Sequence, residues 1–276
     1  MWTWEEAVRW YRAQPDNEAE IRHNYFDLPV RQAAERFAGS EEFAEILRLL
    51  GHGAGRRILD FGAGHGISSF ALAQNDWRVD ALEPDSSDEV GAGAITTLAR
   101  ATGLPITVTH QADLPLPFAA ESFDAIHVRQ ALHHVHDLEA TVSDLGRVLQ
   151  RNGAILVTRE HVADDEQQLA EFRATHPLHR FYGGENAYPL RRYLDAFAAA
   201  GLELDEVWGP HESILNFYPG TEVERQATVR QIANHSCLRL GRLLAWHPNF
   251  RRAQLKRFTR LDQTPGRIYS FLMRRP

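Results

Sequence analysis

From about residue 57 onward, short apolar runs alternate with longer stretches in which apolar residues recur at helical spacing. Such short runs predict buried strands, and the helical periodicity between them predicts crossover helices. Strands and helices that alternate in this way form a parallel sheet covered on both faces. The pattern therefore predicts an α/β fold with a doubly wound, mostly parallel, seven-stranded sheet. The predicted strands are RILDF, RVDALE, ITVTH, FDAIHV, AILVTRE, LELDEVWG and RIYSFLM, and helices are predicted near 67–74, 88–102, 138–149 and 190–201.

Helical patterns flank this core in the sequence. Residues 1–55 form an N-terminal helical segment, in which Ser40 and the two acids after it begin the helix SEEFAEILRLL. Residues 212–263 interrupt the alternation with a helical insertion before the last strand. We expect this insertion to cover the ligand edge of the sheet; the alternative is a contact between two copies of the chain, as in a homodimer. The cofactor-binding core then comprises 56–211 and 264–276.

Composition changes this picture little. The 276 residues are 43% hydrophobic and 24% charged, as in an ordinary soluble globular protein. A net charge of −7 argues against nucleic acid or a membrane as the partner, and the locally basic C-terminal quarter is interpreted as a solvated helix face. One cysteine, Cys237, excludes an intramolecular disulfide. With no secretory signal and no apolar stretch of about 20 residues, a cytoplasmic protein is predicted.

A glycine-rich turn follows the first predicted strand. Asp60 ends that strand, and Gly62, Gly64 and Gly66 follow at alternating positions. A dinucleotide fingerprint, G-x-G-x-x-G, would need its third glycine where Ile67 stands. A carboxylate beside a bare backbone at a helix N-terminus instead suits an amino-acid ammonium attached to a nucleoside.

Glu83 ends the second strand, where an acid accepts hydrogen bonds from the ribose hydroxyls in nucleotide-binding folds. With the glycine turn, it makes the chain resemble the class I S-adenosylmethionine-dependent methyltransferases, specifically the small-molecule type 11 group. Over roughly 56–162, LDFGAGHG and ALEPD resemble the first two family motifs, and LPFAAESFDAIHV, ALHHV and LGRVLQRNGAILV resemble segments around the fourth and fifth strands. In the last segment Arg151 and Asn152 replace the usual Pro-Gly, so Gly153 is expected to make the turn.

The resemblance implies a Rossmann-like methyltransferase fold that binds S-adenosyl-L-methionine and releases S-adenosyl-L-homocysteine. It implies that the glycine turn holds the methionine part, Glu83 the ribose, and an acid after the third strand the adenine. Asp113 is the candidate acid, although alignment on the L-P-F segment puts Ala112 at that position. Arg129 is expected to close over the methionine carboxylate, with a surface salt bridge as the alternative. The predicted cofactor-binding residues are Asp60, Gly62, Gly64, Gly66, Glu83, Pro84, Ala112, Asp113 and Arg129.

The acceptor class depends on whether the site holds a general base. Methyl transfer to a hydroxyl needs one, whereas an amine or an activated carbanion reacts after desolvation alone. Candidate bases follow the fourth and fifth strands, whose ends face the cofactor in this fold. A histidine oriented by a carboxylate is a suitable base, so His133 or His134 with Glu160 is the first choice, and His161 is a further candidate.

The stretch HPLHRFYGGENAYPL, residues 176–190, places polar groups and aromatic rings around a Gly-Gly turn. The family inserts substrate-recognition elements here, and such a loop suits a hydroxylated or ring-containing substrate; the alternative is an ordered loop whose groups bind one another. No H-x₃-H pair or Cys/His cluster indicates a metal, so none is expected. The predicted substrate-binding residues are His176, His179, Tyr182, Glu185, Asn186 and Tyr188.

The sequence thus predicts a methyltransferase of a small molecule. O-methylation of a hydroxylated substrate, such as a sugar or a glycosylated metabolite, is favoured over N- or C-methylation. Two functions from other classes stay open. A nicotinamide-dependent oxidoreductase is opposed by the glycine spacing and Asp60, and a non-catalytic cofactor-binding protein is opposed by the glycine turn and Glu83.

Overall fold

The computed structural model of the protein describes residues 2–111, 113–175, 178, 181, 186–235 and 246–276. The strands of this part are β1 (Arg57–Phe61), β2 (Arg78–Leu82), β3 (Ile106–Thr109), β4 (Phe123–Arg129), β5 (Leu149–Val162), β6 (Glu203–Trp208) and β7 (Arg267–Arg274). They form one sheet in the order β3-β2-β1-β4-β5-β7-β6. Strands β1 to β5 pair in parallel, and β7 runs antiparallel between β5 and β6. The predicted mostly parallel seven-stranded sheet is confirmed.

Helices cover both faces of this sheet. Their bounds are α1 (Trp4–Arg12), α2 (Glu18–His23), α3 (Val30–Ala38), α4 (Glu41–Leu50), α5 (Ile67–Ala73), α6 (Ala92–Thr102), α7 (Leu138–Val148), α8 (Glu166–Thr175), α9 (Leu190–Ala199), α10 (Glu222–His235) and α11 (Pro248–Leu261). On one face α3, α4 and α5 bury side chains such as Phe37, Ile46 and Phe70. On the other, α7 and α9 bury Leu145 and Phe197 against the sheet. Burial on both faces explains why the central strands are continuous apolar runs.

Helix starts follow local capping chemistry. The Ser40 hydroxyl accepts a hydrogen bond from the Phe43 N–H at 3.1 Å, so α4 begins where predicted. The predicted helix 88–102 is wrong at its first turn, because α6 begins only at Ala92. The Ala92 N–H donates to the Asp85 carbonyl at 2.8 Å. A Cβ on Gly91 would lie 2.3 Å from that carbonyl oxygen, so the chain closes a tight loop before the helix starts.

The turn at the start of β5 differs from the prediction. Asn152, not Gly153, takes the left-handed conformation, with φ of 61°. Asparagine tolerates this region better than most residues. Gly153 is needed for space instead, since a Cβ there would lie 2.7 Å from the Leu149 Cδ1.

The described part of the 212–263 insertion forms a 3₁₀ turn (Ile214–Asn216) and the helices α10 and α11, which pack against each other. Leu255 and Thr259 of α11 are buried, and the Thr259 hydroxyl donates to the Pro210 carbonyl at 3.4 Å. The insertion is therefore anchored just beyond the end of β6. Among the described residues, no helix is both long and apolar enough to cross a membrane.

Candidate active site

A cavity of about 1060 Å³ opens at the C-terminal ends of β1, β2, β4 and β5. Ligand pockets are commonly ~300–1,000 Å³, so the volume is sufficient for a nucleoside-bearing cofactor and a small acceptor together. None of the described residues of 212–263 lines it, so that part of the insertion does not form the expected cover. The facing wall comes from the N-terminal segment and comprises Thr3, Trp4, Tyr11, Glu20, Asn24 and Phe26.

The glycine turn forms the floor of the cavity. Gly62, Gly64 and Gly66 have φ of 68°, 55° and 88°, a conformation that residues with a Cβ adopt at a cost. A Cβ on Gly62 would lie 2.5 Å from the Ala131 Cβ, whereas a Cβ on Gly64 would meet no atom within 4 Å. The turn is thus closed towards β4 and open at Gly64, which lets a ligand approach the main chain.

Asp60 lies beneath this turn, 1% exposed. One carboxylate oxygen accepts the Ser69 hydroxyl at 2.6 Å, and the other lies 3.3 Å from His127 Nδ1. Asp60 lines the cavity from a position fixed by both neighbours. His127 itself is fully buried.

Glu83 accepts the Gly64 N–H on one oxygen at 2.7 Å and the Asp85 N–H on the other at 2.8 Å. Burial raises the pKa of Glu83 to about 7, and the two backbone hydrogen bonds oppose that rise. Pro84 also lines the cavity, and its carbonyl lies 2.9 Å from His110 Nε2. The predicted ribose acid therefore also holds the glycine turn.

Arg129 lines the cavity from the end of β4, where Glu42 of α4 binds it. Arg129 Nε and Nη2 donate to the two Glu42 oxygens at 2.8 and 3.2 Å, and Nη1 donates to the Gln130 side chain at 2.9 Å. Burial would raise the pKa of Glu42, but the Arg129 and Arg159 guanidiniums outweigh it and hold the pKa below its usual value. The salt bridge is thus buried, not on the surface.

Sequence reasoning missed Glu42 and assigned it only to the acidic first turn of its helix. A signal was present, because Glu42 lies four residues before Ile46 on the apolar face of α4. An acid in register with an apolar stripe indicates a buried partner.

The structure brings His133 and Glu160 together. His133 Nδ1 lies 2.6 Å from Glu160 Oε2, and both side chains are buried. Glu160 also accepts three backbone N–H groups: those of Ala131 and Leu132 on Oε1 and that of His133 on Oε2. A carboxylate has about four acceptor positions, so all are used, and Glu160 can act on a ligand only through His133.

His134 and His161 also line the cavity beside His133. Their ring centroids lie 4.2 and 4.9 Å from that of His133. His161 Nδ1 lies 2.8 Å from the Gly266 carbonyl, which only accepts, so Nδ1 carries the proton there. The predicted histidines thus converge on one part of the wall.

On the adenine side, Asp113 is exposed and lines the cavity near Gln111 and Leu114. Ala112 lies outside the described residues. Whether either position contacts the adenine stays a prediction.

Of the predicted substrate residues, His176, His179, Tyr182 and Glu185 lie outside the described residues. Asn186 Nδ2 donates to the Val135 carbonyl at 2.9 Å, and the Tyr188 hydroxyl donates to the carbonyls of Val135 and His136. Neither lines the cavity among its described wall residues. As a correction, both support the 133–136 segment from behind, since their polar groups bind its main chain.

A family model described as a methyltransferase domain matches residues 31–207, which is more than half of the chain. The chain belongs to the class I S-adenosylmethionine-dependent methyltransferases. The predicted family, enzyme class and cofactor are confirmed, and the oxidoreductase alternative falls. Family and cavity agree with a small-molecule methyltransferase.

Relatives support the same family. The methyltransferase is 31% identical to the uncharacterized methyltransferase YcgJ of Bacillus subtilis (strain 168) over 53% of this chain and 59% of YcgJ. The match therefore spans less than two thirds of the length of YcgJ. It is 26% identical to a ubiquinone biosynthesis O-methyltransferase of Rhizobium etli (strain CIAT 652) over 74% of this chain and 81% of that one. The fold resembles geranyl diphosphate C-methyltransferase from Streptomyces coelicolor A3(2), with a TM-score of 0.58 at 15% identity, covering 99% of this chain and 98% of that one.

Proposed function

We propose that the protein transfers the methyl group of S-adenosylmethionine to a hydroxyl oxygen of a small molecule, with His133 as the general base. The observation that carries the proposal is the pair formed by His133 and Glu160, 2.6 Å apart at the cavity wall. Because the Glu160 carboxylate accepts a hydrogen bond from Nδ1–H, the proton of the neutral ring lies on Nδ1, and Nε2 has the lone pair that takes a proton. A base is what a hydroxyl acceptor requires and an amine does not.

For the cofactor, the proposed contacts follow the chemistry of each wall. The open backbone at Gly64 admits the methionine part, and Glu83 has one acceptor position left on each oxygen for a ribose hydroxyl. The Arg129 guanidinium, fixed by Glu42, offers its remaining N–H groups to the methionine carboxylate. The proposed cofactor-binding set is Asp60, Gly62, Gly64, Gly66, Glu83, Pro84, Ala112, Asp113 and Arg129.

When bound, S-adenosylmethionine supplies a methyl group on a cationic sulfur. His133 Nε2 removes the proton of the acceptor hydroxyl as the oxygen forms its bond to that methyl. With S-adenosylmethionine bound, the electron pair of the carbon–sulfur bond would stay on sulfur, and the proton would remain on His133 until solvent removes it. Glu160 stabilises the positive charge that develops on the ring, and the cavity walls align oxygen, carbon and sulfur.

A hydroxylated substrate such as a sugar or a glycosylated metabolite is the proposed acceptor class. Tyr11, Glu20 and Asn24 add hydrogen-bonding groups to the facing wall, and Trp4 and Phe26 add ring surfaces. The Rhizobium etli relative is named as an O-methyltransferase, which supports oxygen as the acceptor atom.

The test is methyl transfer from tritiated S-adenosylmethionine to panels of glycosides, phenols and primary amines. We expect label in the hydroxyl compounds. With an active acceptor, His133→Gln should lower kcat by about 10²–10⁴-fold and leave the Kd for S-adenosylhomocysteine unchanged. His134→Gln separates the two adjacent histidines, and the exposed His23 gives a neutral control, His23→Gln. Label confined to the amines, or a His133→Gln enzyme as fast as the wild type, would reject the assignment.

A further inference from the structure

The helix α11 carries an unusual concentration of positive charge. Between Pro248 and Leu261 there are five cationic residues and no acid, although the whole chain has a net charge of −7. The net negative charge of the whole chain argues against an anionic partner, but the charge of this helix is positive. The cationic residues are Arg251, Arg252, Lys256, Arg257 and Arg260.

Most of these cations have no acidic partner among the residues that the structure describes. Arg252, Lys256, Arg257 and Arg260 form no ion pair with any residue in the described part of the chain, and all four are exposed. Several exposed arginines on other helices do pair with an acid one turn away, as Arg31 does with Glu35 at 2.8 Å. Four of the five charges of α11 thus have no ion-pair partner in the part of the chain that the structure describes.

Exposed apolar side chains lie on this helix and just before it. Leu261 is 67% exposed, Phe258 is 39% exposed, and Trp246, just before the helix, is 77% exposed. At 3.6 residues per turn, Arg257, Arg260 and Leu261 project within about 60° of the direction opposite the buried Leu255. The outer face of α11 is therefore cationic, with the apolar Leu261 at its C-terminal end.

We propose that Trp246 and α11 form a docking surface for an anionic lipid bilayer. The cations complement anionic headgroups, and the exposed apolar side chains gain by entering the interface. Tryptophan favours this zone because its ring is apolar and its N–H is polar. A nucleic acid would also complement the charge, but it offers no apolar phase to Leu261 and Trp246. The surface lies on the insertion, outside the described cavity wall.

The test is co-sedimentation of the full chain with vesicles of phosphatidylcholine alone and with 30% phosphatidylglycerol, at low and high salt. We expect binding only to the anionic vesicles and release at high salt. Lys256→Gln, Arg257→Gln and Arg260→Gln together should weaken partition by about fivefold for each charge removed. Trp246→Ser with Leu261→Ser should also weaken it. The matched control removes the same charge elsewhere, through Arg31→Gln, Arg48→Gln and Arg191→Gln.

Thermal unfolding midpoints equal to wild type establish that the variants are folded. The proposal fails if anionic vesicles do not bind the protein, or if the control weakens binding as much as the α11 charge variant. It also fails if the apolar variant binds like wild type while duplex DNA binds as tightly as the vesicles, since that identifies a polyanion site without a membrane.

Discussion

Glu83 should make the affinity for S-adenosylhomocysteine depend on pH. Burial raises its pKa in the free protein to about 7, so near neutral pH a large fraction of the protein carries a neutral carboxyl there. Hydrogen bonds from two ribose hydroxyls would stabilise the ionised form of this carboxyl. Binding should therefore release a proton from Glu83 below about pH 7.

The size of the effect follows from this linkage. If the carboxyl must be ionised to bind, the apparent Kd rises by a factor of one plus the ratio of protonated to ionised carboxyl. This factor changes by up to tenfold per pH unit below the pKa and levels off above it. With a pKa of about 7, the Kd should be about tenfold weaker at pH 6 than at pH 8. His65, in the glycine turn, does not contribute, because burial lowers its pKa to about 4 and keeps it neutral in this range.

Calorimetric titration at pH 6, 7 and 8 measures the Kd, and repetition in buffers of different ionisation enthalpy counts the released protons. Glu83→Gln removes the ionisable group, so we expect weaker binding with no such slope. Asp113→Asn removes another carboxylate of the same cavity, and this variant should retain the pH dependence of the Kd. A Kd that is equal at pH 6 and pH 8 in the wild type, or a slope that survives in Glu83→Gln, would refute the reasoning.

Further variants test the site and the surrounding fold, with stability measured by urea denaturation and S-adenosylhomocysteine binding measured by calorimetry. Glu42→Gln leaves a buried guanidinium without its anion and should lower the free energy of unfolding by about 3–5 kcal/mol, whereas Glu35→Gln breaks an exposed pair and should cost less than about 1 kcal/mol. Gly62→Ala would place a Cβ at a strained positive φ and 2.5 Å from the Ala131 Cβ, so it should abolish S-adenosylhomocysteine binding. Gly103 has a similar φ but open space around it, so Gly103→Ala should lower the free energy of unfolding by only about 1–2 kcal/mol. Asn152→Ala should cost about 1 kcal/mol and Asn152→Gly close to nothing, because φ there is 61°.

The sheet and the glycine turn are predictable because contiguous residues encode them. A strand buried on both faces must be a continuous apolar run, so RILDF identifies β1 without knowledge of its neighbours. The turn after it needs positive φ at Gly62, Gly64 and Gly66, and the glycines mark those positions directly. Where prediction failed locally, as at the start of α6, the decisive contact was the carbonyl of Asp85, seven residues away.

The walls of the cavity were less predictable because they depend on packing between distant segments. The salt bridge of Glu42 and Arg129 joins residues 87 positions apart. Nor does the order of elements along the chain state which helices cover the site. Because β7 lies between β5 and β6, the 212–263 insertion leaves the sheet beyond the strands that line the cavity. Residues of the N-terminal segment line the cavity, and none of the described residues of 212–263 does.

Glu83 and Glu160 show why a sequence motif identifies the methyl donor more readily than the methyl acceptor. Each carboxylate lies at a parallel strand and binds the main chain of the loop after the neighbouring strand. Glu83 keeps one acceptor position on each oxygen, so it can also bind a ligand, whereas Glu160 has none left. Any effect of Glu160 on methyl transfer must therefore pass through His133. Glu160→Gln and His133→Gln should each slow the reaction, and the double variant should be no slower than His133→Gln alone; additive losses would show that Glu160 acts on the substrate by a separate route.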